Sequence, residues 1–143
     1  MTDAQGDVQE REVLVDQAEL LYRQIALPLR NGRPTWEIFK GRKEEAWQVS
    51  VDRASLAEGL EASYLRHTDR GATSHGVLAV SVEELAQNLV EAYSAPSDEN
   101  PSHCQYDLQT LTSGDPISHG QREKICSQLL EYALSNDRER HIP

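Results

Sequence analysis

Two periodicities alternate along the chain. Val13, Leu14, Val15, Ala18, Leu20 and Leu21 form a first apolar run. It reads as a short helix over 10–19 followed by a strand over 20–25, with one longer helix to Ile25 as the alternative, because short apolar runs do not decide between the two. Asn31-Gly32 and Arg33-Pro34 then supply turn chemistry. Trp47-Gln48-Val49-Ser50-Val51 alternates apolar and polar with period two, the mark of a half-buried strand. Together with a short strand at Trp36–Phe39 and a charged turn over 41–45, it predicts a hairpin across 36–51. A helix follows, capped by Asp52 or by Ser55, which stands in capping-box spacing with Glu58. Leu56, Leu60 and Tyr64 recur every four residues, and His67 falls about 20° from Leu56 on the same inward stripe.

The second half is more regular. Gly76-Val77-Leu78-Ala79-Val80-Ser81-Val82 is almost continuously apolar, as in a strand covered on both faces. Ser81 opens the next helix with Glu84 in capping-box position and Val80 against Leu85 as a staple, and that helix is expected to reach about Tyr93. A polar loop over 94–102 leads to a strand at 103–108. The last helix starts near Ser118, with Gln121 completing a capping box, and presents Ile125, Cys126, Leu129, Leu130, Ala133 and Leu134 as a broad apolar face. No internal repeat is present. The expected fold class is α+β: a small mixed or antiparallel sheet with about three helices in a single domain over 11–136, after a disordered leader at 1–10 and before a frayed tail at 137–143.

Charge changes this picture. The 143 residues carry a net charge of −10, unevenly spread. The segment 23–75 holds nine Lys/Arg against seven Asp/Glu, whereas both flanks are strongly acidic. An acidic whole without a basic helix excludes duplex nucleic acid as a partner. No apolar run approaches the roughly 18 residues of a membrane span. The acidic N-terminus lacks the apolar stretch of a signal peptide, so a cytoplasmic protein is expected. There Cys104 and Cys126 are reduced, buried thiols.

Motifs with a fixed chemistry are missing: no G-x-G-x-x-G, no Walker sequence, no G-x-S-x-G and no H-E-x-x-H. The five histidines have no paired metal-ligand spacing, so neither a metal nor a cofactor is expected. His103 is adjacent to Cys104 in a strand, points to the opposite face and cannot serve as its base. More informative are polar residues at the edges of apolar elements: Arg23 inside the first run, Arg33 beside Pro34, His67 at a helix end, and Ser74 and His75 just before the central strand. An arginine fork with His and Ser nearby suits a phosphate or carboxylate. Trp36 and Trp47 are candidate aromatic anchors for a protein partner.

Leu21-Tyr22-Arg23-Gln24, Gly32-Arg33-Pro34-Thr35 with Phe39, Val49-Ser50-Val51, His67-Thr68 and Gly76-Val77-Leu78-Ala79-Val80-Ser81-Val82-Glu83 together resemble a group of small bacterial proteins. The likeness covers about residues 20–108. It implies a bacterial origin and a compact α+β domain, and no activity. The chain departs from that pattern in lacking an aromatic residue beside His67 and in a more polar strand at 103–108.

Two functions follow. The first is a non-enzymatic accessory or immunity-type protein that docks on a larger protein partner through its acidic surface, with Trp36 and Trp47 as anchors. The second is a domain binding a nucleotide or other phosphorylated compound, or a transferase-like domain acting on one, through Arg23, Arg33, His67, Ser74 and His75. The second reading requires those side chains to converge on one cleft.

Overall fold

A computed structural model describes residues 12–135 and 138–143. Its centre is one antiparallel sheet of six strands: β1 (Leu20–Gln24), β2 (Gln48–Arg53), β3 (Val77–Ser81), β4 (Ala92–Ser94), β5 (His103–Asp107) and β6 (Arg140–His141), in the order β4-β5-β2-β1-β3-β6. The helices are α1 (Ala54–Ala57), α2 (Leu60–Asp69), α3 (Val82–Gln87) and α4 (His119–Ala133), and 3-10 turns lie at Trp36–Phe39 and Lys43–Glu45. The α+β class is thus as expected, and of the two alternatives, mixed and antiparallel, the sheet is antiparallel.

The two faces of the sheet are covered unequally. On one face, Leu21, Val49, Val51, Leu78, Val80, Cys104 and Tyr106 pack with Ile38 and Phe39 of the first 3-10 turn and with Ile125, Cys126, Leu129 and Ala133 of α4. This is the main core, and each such aliphatic side chain contributes about 1.5–3 kcal/mol on burial. On the other face, Tyr22, Val77 and Ala79 meet Ala57, Leu60 and Tyr64. All five residues of β3 are buried, because this strand is sandwiched between α4 and α2. Helix α2 packs over β1, β3 and β6. It leaves β2 and β5 uncovered on that face, where Ser50 is exposed and Asp52 and His103 are half-buried.

Both predicted capping boxes at Ser81 and Ser118 form. Ser81 Oγ accepts from Glu84 N at 3.0 Å and Ser118 Oγ from Gln121 N at 3.2 Å. Five local expectations are corrected. The described part of the 10–19 helix is extended: Val13 bridges Tyr93, Leu14 N donates to the Ala92 carbonyl (2.9 Å), and the Asp16 carboxylate turns the chain by accepting from Ala18 N. With Leu14 its only buried apolar residue, 12–19 has no inward stripe to stabilise a helix. The 36–51 hairpin is absent because Trp36–Phe39 is a 3-10 turn; consecutive Ile38 and Phe39 are both buried in one core, which the alternation of a strand forbids. The helix expected after Asp52 is broken at Glu58 (φ +65°) and Gly59 (φ +107°), so the Ser55–Glu58 box does not form and Leu56 is left 48% exposed. Helix α3 stops at Gln87, and 92–94 pairs with β5 instead. The tail from 138 is tied down: Arg138 donates to the Ala79 carbonyl and to Glu84 (each 2.9 Å), and β6 pairs with Val77 and Leu78. The expected leader at 1–10 lies outside the described residues. No helix among the described residues is long and apolar enough to cross a membrane.

Candidate functional site

The uncovered half of the sheet carries a cleft of about 190 Å³ between α2, β1, β2 and β5. Alternation along β2 sends Val49 and Val51 into the main core and Ser50 and Asp52 to this side. In β5 it buries Cys104 and Tyr106 and turns His103 to the cleft. One flank of α2 adds Ser63, Arg66 and His67, and its C-cap residue adds Arg70.

A chain of hydrogen bonds runs through the cleft. Ser74 Oγ donates to Gln24 Oε1 (2.7 Å), and Gln24 Nε2 donates to Ser63 Oγ (3.1 Å). Ser63 Oγ donates to Asp52 Oδ2 (2.7 Å), and Asn100 Nδ2 to Asp52 Oδ1 (2.9 Å). Ser102 Oγ closes the line on Asn100 Oδ1 at 2.6 Å. Each donor is oriented by the next acceptor, so the polar residues are held in fixed rotamers.

Above this line stand the bases. Arg66 donates from Nη2 to the Ala57 carbonyl (3.2 Å), which holds the side chain across the helix break. Its Nη1 is buried, lies 3.7 Å from Asp52 Oδ2, beyond hydrogen-bond range, and donates to nothing among the described residues. Arg23 fills the gap where β1 and β2 part. Their pairing covers only Leu21–Arg53 and Tyr22–Asp52, and beyond it Arg23 donates from Nε to the Ile38 carbonyl (2.6 Å) and from Nη1 to the Ser50 carbonyl (3.0 Å). Burial lowers its pKa, but a guanidinium stays charged. Burial also lowers the His67 imidazole below its ordinary 6.5; the Arg70 and Arg23 charges lower it further, against a hydrogen bond to the Thr73 backbone and the Asp52 charge. His103 Nδ1 lies 2.8 Å from the Ala95 carbonyl, which can only accept, so Nδ1 carries the hydrogen and Nε2 is the nitrogen left to face the cleft as a hydrogen-bonding group.

Of the five residues chosen from sequence, Arg23 and His67 line this cleft, and Ser74 supports it through Gln24. Arg33 sits exposed on a tight turn paired with Arg30, and His75, whose backbone N–H binds the Ile25 carbonyl, does not line the cleft. Sequence reasoning missed Asp52, Arg66, Arg70 and Asn100 as cleft residues. The Arg66/Arg70 spacing of four on one helix face was the signal available for two of them. Trp36 and Trp47 are half-buried against the main core, with Lys40 Nζ 5.4 Å from the Trp36 ring and the Arg122 guanidinium 3.9 Å from the Trp47 ring. Among the described residues, no group of His, Cys, Asp and Glu is arranged to hold a metal ion. No protein-family model matches the chain, and no curated protein or solved structure matches it either.

Proposed function

We propose that the chain binds a small anion of the phosphate class, free or as the phosphate group of a phosphorylated compound, in the cleft between α2 and β2. One observation carries this reading. Three arginines and two histidines from three elements line a single cleft with one carboxylate, in a chain whose net charge is −10. Solubility alone gives no reason to gather the scarce bases of an acidic chain. An arginine fork matches phosphate oxygens bidentately, and Arg66 Nη1 is a buried donor with no hydrogen-bond acceptor among the described residues, its ion partner Asp52 Oδ2 standing off at 3.7 Å. The volume suits a phosphate-sized group rather than a drug-sized ligand, whose sites span about 300–1,000 Å³.

Size also separates the ligand from nucleic acid. A long polyanion meets the whole acidic surface, whereas a small ion inside the cleft is screened from that surface beyond roughly 8 Å at physiological salt. The cytoplasmic setting expected from sequence is consistent with a phosphorylated ligand. The protein-partner reading keeps only the acidic flanks as support, because both tryptophans are half-buried beneath cations.

Titration calorimetry of sulfate and inorganic phosphate into the full chain at physiological salt tests the proposal. Binding of either, weakened at least about tenfold by Arg66→Met and by Arg70→Ala, is the expected result. Arg70 makes no side-chain hydrogen bond among the described residues, so its variant should fold normally. Failure of both anions to bind, or equal binding by both variants, refutes the reading.

A further inference from the structure

A second cleft, of about 400 Å³, shares Arg23 and Ser50 with the first. The two meet where β1 and β2 part, at the guanidinium that bridges the gap to the Ile38 and Ser50 carbonyls. The clefts are thus neighbours across the Arg23 side chain and Ser50, and a group esterified to an anion held by Arg66, His67 and Arg70 would reach the second cleft along them.

The chemistry of the second cleft differs from that of the first. Glu37, Glu45, Gln48 and Ser50 offer carboxylate, amide and hydroxyl groups, all partners for alcohol O–H groups. The apolar wall is small: Ala26 and Leu27, the latter 43% exposed. Among the described residues no aromatic side chain lines this cleft, so a nucleobase finds no ring there to stack on. Of the cations in its lining besides Arg23, Arg42 is held by Glu45 at 3.0 Å and Lys40 Nζ lies 5.4 Å from the Trp36 ring.

We infer that the ligand is a sugar phosphate, a phosphate monoester of a polyhydroxylated compound, with its phosphate among Arg23, Arg66 and Arg70 and its hydroxylated body along Gln48 and Glu37. The inference rests on the anion reading of the first cleft, and its test separates the two. Calorimetry on the full chain compares inorganic phosphate, ribose 5-phosphate, glucose 6-phosphate, free ribose and AMP. At least one sugar phosphate should bind about tenfold or more tighter than inorganic phosphate, the gain of one to two net hydrogen bonds. Gln48→Ala and Glu37→Ala should each remove part of that gain and leave the affinity for inorganic phosphate unchanged. Sugar phosphates no tighter than inorganic phosphate would overturn the inference while leaving the anion site standing. AMP binding tighter than both sugar phosphates would overturn the polyol assignment. Absence of phosphate binding would overturn both.

Discussion

Asp52 is the residue at which fold and ligand compete, and its amide isostere separates them. The carboxylate accepts from Ser63 Oγ at 2.7 Å and Asn100 Nδ2 at 2.9 Å, stands 3.7 Å from Arg66, and is 13% exposed. In Asp52→Asn one oxygen still accepts, but the other position becomes a donor facing the Ser63 hydroxyl. Losing one charge-assisted hydrogen bond in a nearly buried site costs about 2 kcal/mol. In a domain of this length that lowers Tm by roughly 5–10 °C. The same substitution removes the only carboxylate that lines the cleft among the described residues. Unit charges about 4 Å apart interact by about 1 kcal/mol in water and about 4 kcal/mol at an effective dielectric constant near 20. A bound anion farther from Asp52, in a cleft open to solvent, gains about 1–1.5 kcal/mol when that repulsion is removed, or roughly tenfold in affinity. Thermal unfolding followed by circular dichroism and sulfate titration on the same preparation read the two effects. Stability should fall while sulfate binding tightens. A less stable variant with unchanged or weaker sulfate affinity would refute the electrostatic account of the cleft, because no packing defect tightens an anion site.

The parts of the fold that were legible in sequence are those whose cause is local. β3 announced itself because a strand between two helices needs apolar residues on both faces, and all five of its residues are buried. The boxes at Ser81 and Ser118 close within one turn, so three-residue spacing suffices to find them. The misreadings are tertiary. The polar ladder of edge strand β4 drew 12–14 into pairing. Glu58 adopts φ +65° while Arg66 reaches back to the Ala57 carbonyl and the Glu19 carboxylate takes the Ser55 N–H, and neither contact is visible from residues 55–59. For the site, Arg23 and His67 stood out as polar residues on apolar stripes. His103 and Asp52 meet them only because β5 pairs with β2 and β2 with β1, registers that span about 30 to 50 residues. Arg33 and His75 were chosen by nearness in sequence to turns and strands, which does not specify a face.

Three further outcomes follow from the same geometry. Glu19 is nearly buried and accepts from Arg53 Nη2 (3.0 Å) and Ser55 N (2.9 Å); burial alone would raise its pKa, but the bonds from Ser55 and Arg53 outweigh it and hold the carboxyl below 4.5. Its stabilisation is therefore full above about pH 4.5 and lost as pH falls through the lower folded value, and urea melts from pH 6 to 3 should show a shallower acid decline in Glu19→Gln than in the wild type. Burial pushes the Cys104 and Cys126 thiols up to about 12, so a disulfide reagent at pH 8 should leave the native protein unlabelled and react only after urea unfolding. His67 makes anion binding pH-dependent. The groups facing it are Arg66 on its own helix and Arg70 at that helix's C-cap, Arg23 and Tyr22 on β1, Asp52 on β2 and His103 on β5. Burial keeps its free pKa below 6.5, so the ring is neutral at pH 7.5, and a bound anion raises that pKa by favouring the imidazolium. Between the free and bound values the complex takes up a proton, and affinity must rise as pH falls. Sulfate keeps its charge over this range, so the slope belongs to the protein. Its Kd should tighten several-fold from pH 7.5 to 5.5 in the wild type, and the slope should shrink in His67→Gln. An equal slope in the variant would assign the proton to another group and remove His67 from the site.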